Sequence, residues 1–231
     1  IDPLWTIDLS DPTNPQVKGE LEVPGVSTYI HPLKDEQAGF LLTIGYGGDD
    51  NGLDWNTQVS LFDVTNFSNP QLAQALPMAM QEGDGWYYAW SEDNYEHKAF
   101  QYWAAKELLA IPLSTYRWNY DEETGDYGYE YVSRLELIKV DVENGMSMYG
   151  SIDHSHFFNS DSDWYWNYRD VRRSIFMGEY IYAISDRGIT AHTIDGLELS
   201  ASYQLPGSTN YDYWDCWDCG GVDGAVEEEA E

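Results

Sequence analysis

Nowhere in the 231 residues is there an apolar run approaching the roughly 18 that a membrane-spanning helix needs. No helical membrane span is therefore expected. Basic residues are scarce, with 11 Lys and Arg against 41 Asp and Glu, for a formal net charge of −30. So acidic a chain repels phosphate backbones and anionic lipid surfaces, which argues against nucleic acid as a partner. It favours cations, cationic partners or a high-salt setting, and it also serves plain solubility. Cysteine is nearly missing. The two that occur, Cys216 and Cys219 in Cys-Trp-Asp-Cys, cannot supply a four-ligand zinc site alone. A local disulfide in an oxidising compartment is the leading reading. A redox pair and a metal site shared with a partner are the others. Helical periodicity is almost absent too. The stretch Trp103–Ala110 reads as a turn at Ala104–Lys106 leading into a strand. There is no signal peptide, and Ile1 opens into a strand-like phrase with neither Met nor charged leader. The expectation is a processed or excised piece of something longer.

Aromatic residues are plentiful at 16%, which a disordered acidic chain would lack. One phrase recurs: an apolar strand ending in Asp, a small turn, a second strand. Its first copy is Leu4-Trp-Thr-Ile-Asp8-Leu-Ser-Asp-Pro-Thr-Asn-Pro15, and its second is Val59-Ser-Leu-Phe-Asp63-Val-Thr-Asn-Phe-Ser-Asn-Pro70. Looser copies end at Asp141 and Asp195. A recurring unit of this length means one supersecondary element stacked repeatedly. Pro15 and Pro70 fix φ and hold the preceding Asn extended, so the phrase reads as a rigid hairpin. The four aspartates are expected to serve turns or contacts between units rather than catalysis.

Runs rich in Val, Ile, Tyr and Leu group in fours. One unit reads Ser27–Leu33, Gly39–Tyr46, Thr57–Val64 and Gln71–Pro77. The next reads Lys98–Trp103, Glu107–Ser114, Val132–Val142 and Ser147–Asp153. The last reads Arg173–Met177, Tyr180–Ser185, Ile189–Ile194 and Ser200–Leu205. At the front, Leu4–Leu9 and Gln16–Val23 supply only the last two strands of a unit. Four antiparallel strands per unit of about 50 residues is the pattern of a β-propeller blade. The expected fold is thus an all-β propeller of about three and a half blades over residues 1–207, followed by an acidic Cys-containing tail, 208–231. Two acidic, aromatic segments interrupt the spacing, Gln81–Glu96 between blades and Thr115–Tyr131 within the second.

The opening phrase resembles the LVIVD-type repeat of bacterial and archaeal surface proteins. The wider order is similar to secreted proteins with a C-terminal β-propeller distantly related to WD repeats. It runs from Gln58–Pro70 through His97-Lys-Ala-Phe100 and Leu108–Pro112 to Ile175–Ser185. This resemblance implies a secreted, periplasmic or cell-surface location and carries no reaction or catalytic set with it. The half blade departs from the pattern. Its missing strands are expected from an upstream propeller segment or another protein chain at the open blade edge.

Candidate chemistry lies in the connections. Asp49, Asp50, Asn51 and Asp54 form one cluster of hard oxygen ligands, and Asn159, Asp161 and Asp163 form another, so calcium is the candidate ion. Neither matches the twelve-residue calcium loop, and solvated turns are the plain alternative. Trp86, Tyr88 and Trp90, then Trp118 and Tyr120, then Trp164 and Trp166 concentrate ring surface in connecting segments. Rings beside carboxylates suit sugar stacking, cation–π capture or a protein interface. Folding back onto the propeller is the alternative. His154-Ser-His156 is expected to place two imidazoles on one side of a strand, and a structural role is favoured over a metal there. There is no nucleophile elbow, phosphate-cradling Gly loop or metalloprotease helix motif. The reading is a non-enzymatic scaffold or recognition module that binds a protein or glycan through acidic aromatic loops. The alternatives are a polysaccharide-acting hydrolase with paired carboxylates at the central opening and a structural subunit of a larger envelope assembly.

Overall fold

A computed structural model describes residues 3–48, 55–78, 80–82, 85–87, 89–120, 125, 127–157 and 170–206. Among these residues, alternating apolar and polar positions make sixteen strands in chain order. β1 (Leu4–Asp8) and β2 (Gln16–Leu21) form a two-stranded sheet. β3 (Val26–Pro32), β4 (Phe40–Gly47), β5 (Asn56–Asp63) and β6 (Gln71–Pro77) form the first complete blade, A. A short hairpin, β7 (Met80–Glu82) and β8 (Gly85–Tyr87), precedes blade B. Blade B comprises β9 (Gln101–Trp103), β10 (Leu108–Tyr120), β11 (Tyr127–Asp141) and β12 (Gly145–Asp153). β13 (Val171–Met177), β14 (Tyr180–Ser185), β15 (Gly188–Thr193) and β16 (Leu199–Gln204) form blade C. All pairings are antiparallel meanders, and among the described residues helix is limited to 3-10 turns. The three and a half units read from the sequence are therefore the blades that form.

Neighbouring blades stack face to face. Leu42, Ile44, Val59 and Leu61 of blade A, all at 0% exposure, meet Leu109, Ile111, Ile138 and Val140 of blade B. The far side of blade B, with Leu135 and Leu137, packs on Val171, Ile181 and Ala183 of blade C. Each fully buried Leu or Ile contributes about 1.5–3 kcal/mol, so these two interfaces are the core. First strands converge. The Tyr29 ring lies 5.1 Å from Phe100, and His31 lies 5.8 Å from Tyr102.

The repeated aspartates cap the turns between the two outer strands. Asp8 Oδ1 accepts from Ser10 N at 2.9 Å, Asp63 Oδ1 from Thr65 N at 2.9 Å, and Asp141 Oδ1 from Glu143 N at 2.9 Å. At Asp195 the turn is closed instead by Thr193 Oγ1 donating to the Asp195 carbonyl at 2.8 Å. Every outer strand carries one residue too many for its partner: Lys18, Ala73, Tyr149 and Ser200. Such bulges bend and twist the strand.

The sequence leads one to expect an inserted segment over Thr115–Tyr131, whereas β10 and β11 run on through most of it as one hairpin. Tyr116 stands opposite Tyr131, Trp118 opposite Tyr129 and Tyr120 opposite Tyr127. Facing aromatic residues favour strand pairing, which is why the blade's ladder continues rather than ends. His154 also departs from expectation. β12 stops at Asp153, whose Oδ1 accepts from Ser155 N at 2.7 Å, so the two imidazoles sit on a turn.

Candidate functional site

The meander sorts the connections by end. The β1–β2, β3–β4, β5–β6, β9–β10, β11–β12, β13–β14 and β15–β16 turns share one end, and none exceeds seven residues, as in 64–70. Lys106 and Glu179, from two of these turns, pair at 3.8 Å. Every long acidic or aromatic segment leaves from the opposite end: 48–55, 78–100, 121–126, 154–170 and the chain after β16.

At that end a 3-10 turn, Glu92–Asn94, is wedged among all three blades. Ser91 caps it, its Oγ accepting from Asp93 N at 3.2 Å and donating to the Pro112 carbonyl at 2.5 Å. Asn94 Nδ2 donates to Thr57 Oγ1 at 3.1 Å, and Thr57 Oγ1 donates to the Ala89 carbonyl at 2.9 Å. Two bulge residues on first strands reach the same turn. Thr28, skipped in the β3–β4 register, donates to Asn94 Oδ1 at 3.3 Å. Arg172, skipped between β13 and β14, donates to Glu92 Oε1 at 3.0 Å from Nη2. Bulges re-aim side chains in this way. Arg173 adds a bond to Glu92 Oε1 at 3.4 Å and a pairing with Glu96 at 3.7 Å. Two of the 11 basic residues thus converge on one glutamate.

Beside the turn, Trp90 and Ser114 exchange backbone hydrogen bonds at 2.9 Å, and the Trp90 ring lies 6.1 Å from Tyr131. Asp170 is the polar centre. It accepts from Ser114 Oγ at 2.5 Å, from Trp90 Nε1 at 3.4 Å and from the Tyr131 hydroxyl. Burial pushes its carboxyl above the usual range, while the Ser114 and Trp90 hydrogen bonds pull it back. Asp93 is the more unusual group. At 1% exposure, neither carboxyl oxygen has a hydrogen-bond partner among the described residues. Burial pushes its carboxyl well up, the Glu92 charge adds to this, and Arg173 opposes it. Burial without a hydrogen-bond partner favours the neutral form of this carboxyl. Among the described residues no three His, Cys, Asp or Glu are grouped to hold a metal.

Of the loop aromatics and calcium candidates singled out from sequence, Trp90 is the one whose side chain falls among the described ones, and it packs into this junction. Trp86 lies in β8, and Trp118 and Tyr120 lie in β10. Tyr88, Trp164, Trp166, Asp49, Asp50, Asn51, Asp54, Asn159, Asp161, Asp163, Cys216 and Cys219 lie outside the described residues. Sequence reasoning misses Glu92, Asp93, Asp170, Arg172 and Arg173. The available signal is Arg172-Arg173, the sole adjacent basic pair in the sequence. No helix among the described residues is long and apolar enough to cross a membrane.

The chain is 29% identical over 184 residues to the uncharacterised protein MJ1554 of Methanocaldococcus jannaschii, covering 80% of this chain and 22% of that protein. It is 24% identical over 204 residues to an uncharacterised protein of Archaeoglobus fulgidus, covering 88% of this chain and 25% of that one. It therefore spans about a quarter of the length of these relatives. The beta propeller domain model matches residues 1–197, and on this match, with the stacked meanders described above, the chain belongs to the beta propeller domain family.

Proposed function

We propose that this chain is a non-enzymatic arc of an extracellular or envelope propeller that recognises a protein or glycan through its acidic, aromatic connections. One observation carries the reading: the segments rich in Trp, Tyr and Asp all leave from one end of the sheets, while the other end has only tight turns. Rigid sheets that gather variable connections at one end make a recognition surface. Trp and Tyr beside carboxylates suit pyranose faces or a basic protein surface. Calcium held by the 49–54 and 159–163 segments belongs to this reading and rests on their oxygen-rich sequence. So do a secreted, periplasmic or cell-surface location, a disulfide between Cys216 and Cys219, and cover for the open blade edge from another chain or an upstream propeller segment.

The test is a screen of the chain on an array of neutral and acidic glycans and of immobilised basic peptides. Hits are then measured by calorimetry for the wild type and for a Trp118→Ala/Trp164→Ala variant. Binding weakened at least tenfold in the variant, with no loss of ligand mass, is the expected result. Equal binding by the variant sinks the reading. The hydrolase reading, with paired carboxylates at the central opening, requires release of reducing ends from a polysaccharide. The envelope-subunit reading draws on the uncovered blade edge.

A further inference from the structure

Asn66-Phe67-Ser68 is the sole Asn-x-Ser/Thr phrase in the sequence, and its middle residue is not proline. It forms the middle of the tight turn 64–70 between β5 and β6. All three residues are exposed, Phe67 by 45%. Ser68 N donates to Asn66 Oδ1 at 3.1 Å, and Asn69 N donates to the Asn66 carbonyl at 2.9 Å. Both oxygens of Asn66 are thus engaged within the turn. Asn66 Nδ2 and the Ser68 hydroxyl make no hydrogen bond among the described residues. The turn is also anchored from outside, because Thr6 Oγ1 donates to the Phe67 carbonyl at 2.5 Å.

The turn itself does not require this asparagine. The first repeat places Asp11-Pro12-Thr13 at the matching positions, since Asp11 follows Asp8 as Asn66 follows Asp63. There Thr13 N donates to Asp11 Oδ1 at 3.0 Å, and Asn14 N donates to the Asp11 carbonyl at 3.0 Å. The same pair of bonds closes both turns, and a carboxylate accepts them as well as an amide does. In the first copy the hydroxyl is also used, with Thr13 Oγ1 donating to Asp11 Oδ1 at 2.7 Å. The second copy differs in the two groups it leaves over: a carboxamide nitrogen and a hydroxyl two residues on. Those are the groups that an N-glycosyltransferase requires of its acceptor, and they occur here on an exposed turn of a chain otherwise rich in acids.

We infer that Asn66 is an N-glycosylation site, whose Nδ2 receives a glycan from a lipid-phosphate carrier. A bond forms between Nδ2 and C1 of the sugar, and the bond between C1 and the carrier's phosphate oxygen breaks. One Nδ2 proton passes to a base of the transferase, and the lipid phosphate leaves with the electron pair. Nothing is oxidised or reduced. The β5–β6 turn lies at the end of the sheets opposite the long acidic and aromatic segments. A bulky, hydrated glycan there covers the exposed Phe67 turn and leaves those segments clear. The inference rests on the reading that the chain is extracellular or in the envelope, because such transfer takes place outside the cytoplasm.

The test recovers the protein from the cells that make it, by fractionation into medium, envelope and cytosol, and weighs the peptide carrying residues 57–77 by mass spectrometry. The expected result is protein in the medium or envelope whose peptide is heavier by a whole number of sugar residues, with the added mass on Asn66. Ser68→Ala and Asn66→Asp, made in the same cells, should each lose the added mass completely. Asn66→Asp keeps the turn, as Asp11 shows for the first repeat, so its circular dichroism should match the wild type. An unmodified Asn66 in protein from the medium or envelope overturns the site and leaves the location reading standing. Unmodified protein found in the cytosol overturns both. Added mass that persists in Ser68→Ala, or that maps to another residue, overturns the assignment to this acceptor.

Discussion

Two buried titratable groups set opposite limits on stability. Glu136, at 5% exposure in β11, has its carboxyl pushed up to about 7 by burial, with Asp153 adding and Arg134 opposing. Its ordinary value is 4.5, so the folded state binds the proton more tightly than the unfolded one. The cost is absent below 4.5, grows as pH rises toward 7, and levels off above it at about 3 kcal/mol. His154, at 0% exposure, has its ring lowered to about 4, by burial first and then by the charges of His156 and His192. Its contribution is present above 6.5 and is lost as pH falls toward 4. Between those limits the two effects offset one another. Glu136→Gln should raise unfolding free energy by up to about 3 kcal/mol at pH 8 and by nothing near pH 4. Urea midpoints across that range read the difference. In the variant the loss below pH 6.5 due to His154 should stand unmasked.

At the scale of the element, the half blade is seated by close contact at Gly19. A Cβ there would lie 2.6 Å from Pro70 Cδ, 2.8 Å from the Phe67 carbonyl oxygen and 2.9 Å from Thr6 Oγ1. Gly19→Ala should therefore unseat β1–β2 from the β5–β6 turn at a cost of about 1–3 kcal/mol. Exchange should quicken across residues 4–21 and stay unchanged in blades B and C; uniform behaviour would refute the contact. The Asn-Pro turns on both sides of this contact were legible, because Asp8 and Asp63 followed by Ser10 and Thr65 write their own capping bonds. So were most strands, since period-two alternation names both strand and face. The extension of β10 and β11 was less so. Tyr116, Trp118 and Tyr120 look alike as loop or ladder until Tyr131, Tyr129 and Tyr127 are placed opposite them, and that register is not written in either segment alone. The Glu92–Asn94 junction was not legible. Its partners Thr28, Ser114, Asp170 and Arg172 meet only through bulges and blade order.

For the molecule as a whole, a net charge of −30 makes the compact state repel itself. Salt screens this over about 10 Å at 0.1 M. The melting temperature should rise by several degrees between about 20 mM and about 1 M NaCl, and calorimetric scans at fixed pH will show it; a flat response would mean the charges are already compensated. Blade count, strand order and the incomplete first blade follow from the repeats. Which connections gather at one end follows once the meander is drawn. The bulges at Lys18, Ala73, Tyr149 and Ser200 bear on how copies meet. A strand kinked mid-length is a poor template for a straight newcomer. The outer rim formed by β2, β6, β12 and β16 is thereby a poor seed for ribbon-like growth between copies.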